Sequence, residues 1–389
     1  MDFVGGRIKG YVGPDDIGAP DDIEKVIVDF IGAATKTVDV AVQELDSIPI
    51  AEALIAQRLA GRSVRVVLNH DYLQDGTDAR SRPKPGLTTV AALAVDASAQ
   101  KVNRDVYAAL CRCGVDVRID LNPTAIFHQK FCLTDMRLDA DGDPRQGASP
   151  GLLCGSANFT DTDCHTNLNH VLVFEDLGVQ SEFAVEFAEA WGGEFSRGRL
   201  GKPPKTIDVG GVPVKVLFAP DHGPEAEVIK QLLKCPKGGS IECAMFTFAG
   251  SSAIDDAMIV LAGAGRSVRV VLDRSQSAPS SKWPAARWLV KGGVDVRVPK
   301  RRQGFRKLHH KLAVIDGSTV IGGSFNYSEP ATLFNDEALL VIGSTHSASE
   351  HVTVDKAECA KIAKFFGDEI DRIANDSDPW VDPDADPND

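Results

Sequence analysis

GRSVRVVL stands at residues 61–68 and again, letter for letter, at 265–272. An octapeptide repeated about 200 residues on marks a copied unit rather than a short-period solenoid. Working outward, GVDVR recurs at 114–118 and 293–297. Ahead of each octapeptide stands a strand-like apolar run, TVDVAV (37–42) or SIECAMFTF (240–248). Between run and repeat comes a helix-like segment, IAEALIAQRLAG or IDDAMIVLAGAG. Both halves therefore read strand, helix, strand, helix, strand, which predicts α/β layers with substantial parallel pairing.

The Gly-, Pro- and base-rich stretch FSRGRLGKPPKTIDVGG (195–211) predicts the boundary. It sets domain one at 1–200 and domain two at 201–374, with VPVKVLFAPD as the first strand of the second. The first half carries extra residues at 73–102 and 136–151, which read as polar surface insertions. The segment NDSDPWVDPDADPND (375–389) is acidic and Pro-rich and reads as a frayed tail.

The 389 residues are 43% apolar and 25% charged, ordinary for a globular chain with two cores. A formal net charge of −13 excludes a chain-wide polyanion binder. Contact with nucleic acid or anionic lipid must then rest on a local basic patch. No stretch approaches the about 20 apolar residues of a membrane span. The start, MDFVGGRIKGYVGPDD, lacks a basic segment followed by an apolar core. Neither an integral membrane segment nor a signal peptide is expected, and the expected location is cytoplasmic. The eight cysteines are scattered without a CxxC pair, so free, mostly buried thiols are expected rather than zinc or disulfides.

Chemistry enters with HQKFCLTD (His128, Lys130, Asp135) and HHKLAVID (His309, Lys311, Asp316), both H-x-K-x4-D. Downstream lie GSAN (Ser156, Asn158) and GSFN (Ser324, Asn326). Residues i and i+2 of a strand share a face, so each His and Lys project together while Gln129 and His310 project away. An imidazole beside an ammonium, with a hydroxyl and an amide from the next turn, gathers donors around one point. That suits phosphate. Two opposed copies would set imidazoles on both sides of one phosphorus. One attacks to form a phosphohistidine; the other protonates the leaving oxygen and then activates water. The lysines neutralise the remaining oxygens. No metal or other cofactor is expected, since neither half offers a compact carboxylate cluster for magnesium or calcium.

On these motifs the chain resembles the phospholipase D superfamily, the HKD phosphodiesterases, across residues 10–370. The resemblance implies two duplicated mixed-sheet α/β domains with flanking helices, related by a pseudo-twofold, with one active site at their interface. Two copies in one chain make a monomer sufficient. It implies that His128, His309, Lys130, Lys311, Asn158 and Asn326 line a phosphate pocket, with Ser156 and Ser324 in support. Asp135 and Asp316 are implied to organise the motif. The family commonly carries a Glu after GSxN that bonds its own histidine. NDEALLVI supplies Glu337, whereas TNLNHVLVF puts Asn169 in that place. A carboxylate holds an imidazolium better than an amide does, so the two histidines should differ in basicity. Family habit favours the first-half histidine as nucleophile; the missing carboxylate leaves the roles open to exchange.

VPKRRQGFRKLHHK (298–311) packs Lys300, Arg301, Arg302, Arg306 and Lys307 around Phe305 just before the second motif. It reads as a loop holding a polyanion beside the site, with a solvated basic loop as the alternative. Glu44 and Phe248 are rim candidates, with strand-to-helix loops as the plainer reading. His165 reads as a loop histidine. The favoured substrate is nucleic acid. The alternatives are a phospholipase D or phosphatidyl transferase with peripheral membrane contact, and a non-catalytic polyanion-binding module. The lipid reading calls for an apolar rim or amphipathic helix that the sequence does not clearly show.

Overall fold

The computed structural model describes residues 1–70, 101–122, 124–139, 141–142, 144–196, 203–278, 285–343 and 354–382. Nearly all of the expected insertion at 73–102 and the boundary at 200/201 lie outside the described residues.

The first half supplies β1 (Asp2–Phe3), β2 (Ile8–Gly13), β3 (Thr37–Val42), β4 (Ser63–Asn69), β5 (Asp116–Asp120), β6 (Lys130–Leu138), β7 (Pro144–Gly155) and β8 (Asn167–Phe174). They form one sheet in the order β1-β2-β8-β7-β6-β3-β4-β5. The second half supplies β9 (Thr206–Val209), β10 (Val212–Ala219), β11 (Ser240–Met245), β12 (Ser267–Leu272), β13 (Asp295–Pro299), β14 (Lys307–Leu308), β15 (Lys311–Ile315), β16 (Thr319–Gly323) and β17 (Glu337–Gly343), and β18 (Ser377–Pro379) follows. The second sheet runs β18-β13-β12-β11-β15-β16-β17-β10-β9, while β14 crosses to pair with β8.

The repeats decide the parallel part. GRSVRVVL becomes the turn and strand of β4 and β12, each parallel to the strand before it (β3 or β11) and the one after (β5 or β13). Gly61 and Gly265 enter it at φ +84° and +85°, a left-handed conformation that a side chain would strain. Apart from the short parallel pairing of β14 with β8, the remaining strands pair antiparallel, so both sheets are mixed, as the resemblance implied.

Three apolar cores hold the layers. One lies under the outer helices of the first half, around Ile27, Val40 and Leu54. Another lies under those of the second, around Met245, Met258 and Leu289. The third joins the halves. It draws Phe131, Phe183 and Leu172 from one and Phe218, Leu312 and Phe366 from the other. The long helices Leu177–Gly192 and Lys356–Asn375 contribute to this shared core. Removing apolar surface from water is the dominant favourable term in such packing.

Three expectations need correction. Residues 136–151 are mostly strand: they extend the β6–β7 hairpin, with Met136 fully buried. The segment from 375 does not fray at its start: β18 pairs with β13, Trp380 donates its N–H to Val296 O, and Arg287 meets Asp382. The short strand β9 precedes the VPVKVLFA strand. All eight cysteines are free, six of them buried.

Candidate active site

Each motif histidine sits one residue beyond a lead-in that runs alongside the opposite half. Phe127 bridges Asp336, and His128 N–H donates to Asp336 O at 3.0 Å. In the mirror place β14 pairs with Asn167–Leu168, and His309 N–H donates to Leu168 O at 2.9 Å. The residue after the repeated octapeptide pins each lead-in: Asn69 Oδ1 accepts from Phe127 N at 3.3 Å, and Asp273 Oδ2 accepts from Leu308 N at 2.9 Å.

This crossing corrects the expected partnership. Glu337 does not bond the histidine of its own half. Its Oε2 lies 2.6 Å from Nδ1 of His128 and also accepts from Ser324 Oγ at 2.6 Å. Asn169 correspondingly serves His309: its Oδ1 lies 3.0 Å from His309 Nδ1 and accepts from Ser156 Oγ at 2.8 Å. Asn169 Nδ2 donates to the carbonyls of Asp163 and Asn167, which fixes Oδ1 as the acceptor. His309 Nδ1 therefore carries a proton, and Nε2 is left for chemistry.

Lys130 and Lys311 fold back so that each Nζ donates to the carbonyl of its own motif histidine at 2.9 Å. Lys130 also donates to Gln43 Oε1 at 3.2 Å. Lys311 instead lies 5.1 Å from the Phe246 ring centroid, and His309 meets that ring edge-on at 4.7 Å. Both histidines are nearly buried, at 7% and 5% exposure, which leaves each ring only a small opening to solvent.

Burial, then Lys130 and Lys311, hold His128 well below the usual imidazole range. Burial, then Lys311, Lys130 and His128, do the same to His309. The two histidines and two lysines thus sense one another across the halves and form one site. Burial brings Lys130 down to about 8 against the pull of Glu337, Asp163 and Glu44. Burial and then Lys130 push Lys311 well down. Burial pushes Glu337 up to about 8 against the pull of Lys130, Ser324 and Lys311.

The other predicted residues fall in three places. Asn158 is buried, with no partner for its Oδ1 among the described residues, and Asn326 Oδ1 accepts from Thr247 N at 3.2 Å. Asp135 lies away from the rings and gathers the N–H groups of Thr35, Lys36, Thr37 and Ser149. Asp316 sits against Gly239 in the equivalent turn. Lys300, Arg301, Arg302 and Arg306 are exposed along the lead-in to His309. Arg302 is tied to Asp376 at 2.9 Å, and Lys307 lies 5.4 Å from the Phe246 centroid. Phe248 is core rather than rim. His165 binds Asp16 at 2.6 Å instead of joining the site.

Sequence reasoning missed Asp163, whose Oδ2 lies 3.3 Å from His309 Nδ1 and accepts from Asn158 N at 2.7 Å. No repeat signals it. Asn69 and Asp273 were within reach, since each directly follows a GRSVRVVL. A groove of about 990 Å³ lies outside the site, between helix Ile23–Gly32 and the sheet, lined by Tyr11, Phe30 and Glu175 among others. Among the described residues no three His, Cys, Asp or Glu converge in a set that could hold a metal ion. No helix among them is long and apolar enough to cross a membrane.

The family model described as cardiolipin synthase, PLD-like domain, matches residues 27–191 and again 229–355. Among curated proteins, the mitochondrial cardiolipin hydrolase of Xenopus tropicalis is 32% identical over 140 residues, 36% of this chain and 57% of that protein. The Xenopus laevis protein of the same name is 30% identical over 155 residues, 40% and 62% of the two chains. The chain thus spans about three-fifths of the length of these relatives. Among solved structures, phosphatidylserine synthase from Haemophilus influenzae Rd KW20 superposes with a TM-score of 0.63 at 10% identity, covering 98% of this chain and 88% of that one. Polyphosphate kinase from Porphyromonas gingivalis gives 0.52 at 13% identity, covering 93% and 56%. These two likenesses speak for the fold. With both motifs matched and both halves folded alike, the chain belongs to the phospholipase D superfamily and carries two PLD-like domains in one polypeptide.

Proposed function

We propose that the chain is a phosphodiesterase that works through a covalent phosphohistidine, with His128 as nucleophile and His309 as acid and then base. The observation that carries the roles is the unequal partnering of two equivalent rings: a carboxylate at 2.6 Å on His128 and a carboxamide oxygen at 3.0 Å on His309. Attack through Nε2 leaves the His128 ring cationic, and the Glu337 carboxylate stabilises that state. The acid must release its proton, and a ring whose nearest Nδ1 partner is a neutral amide releases it more readily. Asp163 lies farther off, and its oxygens are shared with Asn158 N and Asn167 Nδ2.

In the first step the His128 Nε2–P bond forms and the P–O bond to the leaving group breaks. The leaving oxygen takes the proton from His309 Nε2. In the second, His309 Nε2 takes a proton from water, the water oxygen bonds phosphorus, and the N–P bond breaks. Lys130, Lys311, Asn158 and Asn326 neutralise and orient the non-bridging oxygens. The scheme calls for no metal.

The favoured substrate is nucleic acid, because exposed Lys300, Arg301 and Arg306 line the approach to His309. The second reading is a phospholipid headgroup diester, favoured by the names of the relatives that match at 30–32% identity.

The test is turnover in EDTA of bis-p-nitrophenyl phosphate, single-stranded and duplex DNA, RNA, and vesicles of cardiolipin or phosphatidylcholine. His128→Ala is expected to abolish turnover and labelling. His309→Ala is expected to accumulate labelled enzyme from a radiolabelled p-nitrophenyl diester, whose leaving group needs no acid. Labelling of His128→Ala instead would exchange the roles. A wild-type protein inert on every substrate would leave the polyanion-binding module. Lys300→Ala with Arg306→Ala should slow nucleic-acid cleavage alone; equal loss on the small diester would refute the basic-lip reading.

A further inference from the structure

Behind the second motif lies a polar chain that this mechanism does not use. His170 follows Asn169 on β8, and His310 follows His309. Their rings are fully buried and nearly parallel, 12° apart, with centroids 5.5 Å apart. Nδ1 of one lies 3.2 Å from Nδ1 of the other. Gly323 N–H donates to His170 Nε2 at 3.0 Å, and His310 Nε2 lies 3.2 Å from Glu369 Oε1. Arg372 holds that carboxylate with two bonds of 2.7 Å.

The tautomers follow from the ends. A backbone N–H cannot accept, so His170 Nε2 is unprotonated and its proton sits on Nδ1. That proton points at His310 Nδ1, which must accept it. His310 then carries its own proton on Nε2 and gives it to Glu369. Every ring nitrogen is committed, and a further proton on either ring would oppose two donors. The charged groups around the pair are Lys311 on β15 and Glu369 and Arg372 on the last helix. Burial first, then the neighbouring His310 ring and Lys311, keeps His170 well below the usual imidazole range, and burial keeps His310 below it against the opposing pull of Glu369, which agrees with a neutral pair.

The chain spans both halves: β8 belongs to one, and Gly323, His310 and Glu369 belong to the other. It touches the catalytic parts at its Gly323 end and at His170. Gly323 opens the GSFN turn that carries Ser324 and Asn326. The backbone of His170 is bonded to Ser156, which supports Asn169 beneath His309. The mirror place lacks the device: Gln129 bonds Glu186 directly, and Ala338 stands where His170 would be.

We propose that His170 and His310 are positioning residues of the reaction. As a neutral pair of fixed tautomers, they hold His309 and the Gly323–Asn326 turn in register with the other half. The inference rests on the catalytic role given above to His309.

Glutamine can accept at one atom and donate at another, so His310→Gln and His170→Gln preserve the chain, whereas His310→Leu cuts it. On bis-p-nitrophenyl phosphate, His310→Leu is expected to lower kcat about tenfold or more with little change in KM, since a small misplacement of reacting groups is costly. His310→Gln is expected to restore kcat to within about threefold of wild type. Long-range ¹H–¹⁵N correlation on the wild-type protein should show His170 protonated at Nδ1 and His310 at Nε2. The inference is overturned by a folded His310→Leu with wild-type kcat, by a Gln variant as poor as the Leu variant, or by the opposite tautomers. Should His310→Leu fail to fold, the tautomers and the Gln variant still decide. A wild-type protein without turnover but with these tautomers would sink the catalytic reading and leave the chain of bonds standing.

Discussion

Burial makes the two site lysines reluctant cations. With Lys130 near 8 and Lys311 pushed well down, the pocket itself carries less charge than two lysines suggest. A bound oxyanion favours the protonated form, so binding draws protons in. Inorganic phosphate is therefore expected to lose affinity as a competitive inhibitor as pH rises past about 8, where Lys130 deprotonates. An inhibition constant that stays flat across that range would count against the pocket described here. Glu337→Gln keeps the volume and an acceptor for Ser324 but removes the charge beside His128. The expected loss is about 10- to 100-fold in kcat, with folding retained by circular dichroism. The His and Lys positions were legible because a two-residue spacing on a strand dictates a shared face. The partner of each histidine was not, because sequence spacing ties Glu337 to its own half and only the docked sheets carry it across.

The turns that hold the motif strands make their own expectations. Asp273 accepts from Leu308 N, Ser275 N and Gln276 N. Asp273→Ala leaves those donors unpaired and should cost about 1–3 kcal/mol of unfolding free energy by denaturant titration, with kcat falling because Leu308 precedes His309. Asp135 is buried, which pushes its pKa up, but bonds from Thr35, Thr37 and Lys36 outweigh this and hold it below the usual carboxylate range. A depressed carboxylate contributes stability above its unfolded-state value that is lost as pH falls through the folded one. Asp135→Asn should therefore flatten the acid side of a stability-against-pH curve, and an unchanged acid slope would deny the role. The alternation of strand and helix was legible from periodicity. The long hairpin was not, since Pro144, Gly147 and Pro150 argue against strand. Gly147 is needed there: a Cβ would meet Asp135 Cγ at 2.5 Å.

The shared core makes the halves one body. Phe183 and Phe187 of the first half pack with Phe218 of the second, and Phe366 of the second lies edge-on to His170 of the first. Calorimetry is expected to show one cooperative transition rather than two, and residues 1–200 expressed alone should expose that face and aggregate. Two well-separated transitions would contradict it. Removing residues 376–389 strips the β18 edge and the Trp380 and Asp382 contacts, so the melting temperature should fall. Duplication was legible because the octapeptide is identical in both copies. The docked tail was not, because its composition is that of disorder and its partner strand lies about 80 residues upstream.

The exchange of partners between His128 and Glu337 bears on how such a chain can vary and be divided. A fragment holding a faultless HQKFCLTD would still have a histidine with nothing behind it. Substitutions at 337 belong in any tally of tolerance at 128, and those at 169 in any tally at 309. A relative that kept one half would have to recruit a second copy of itself before either ring was fit to react.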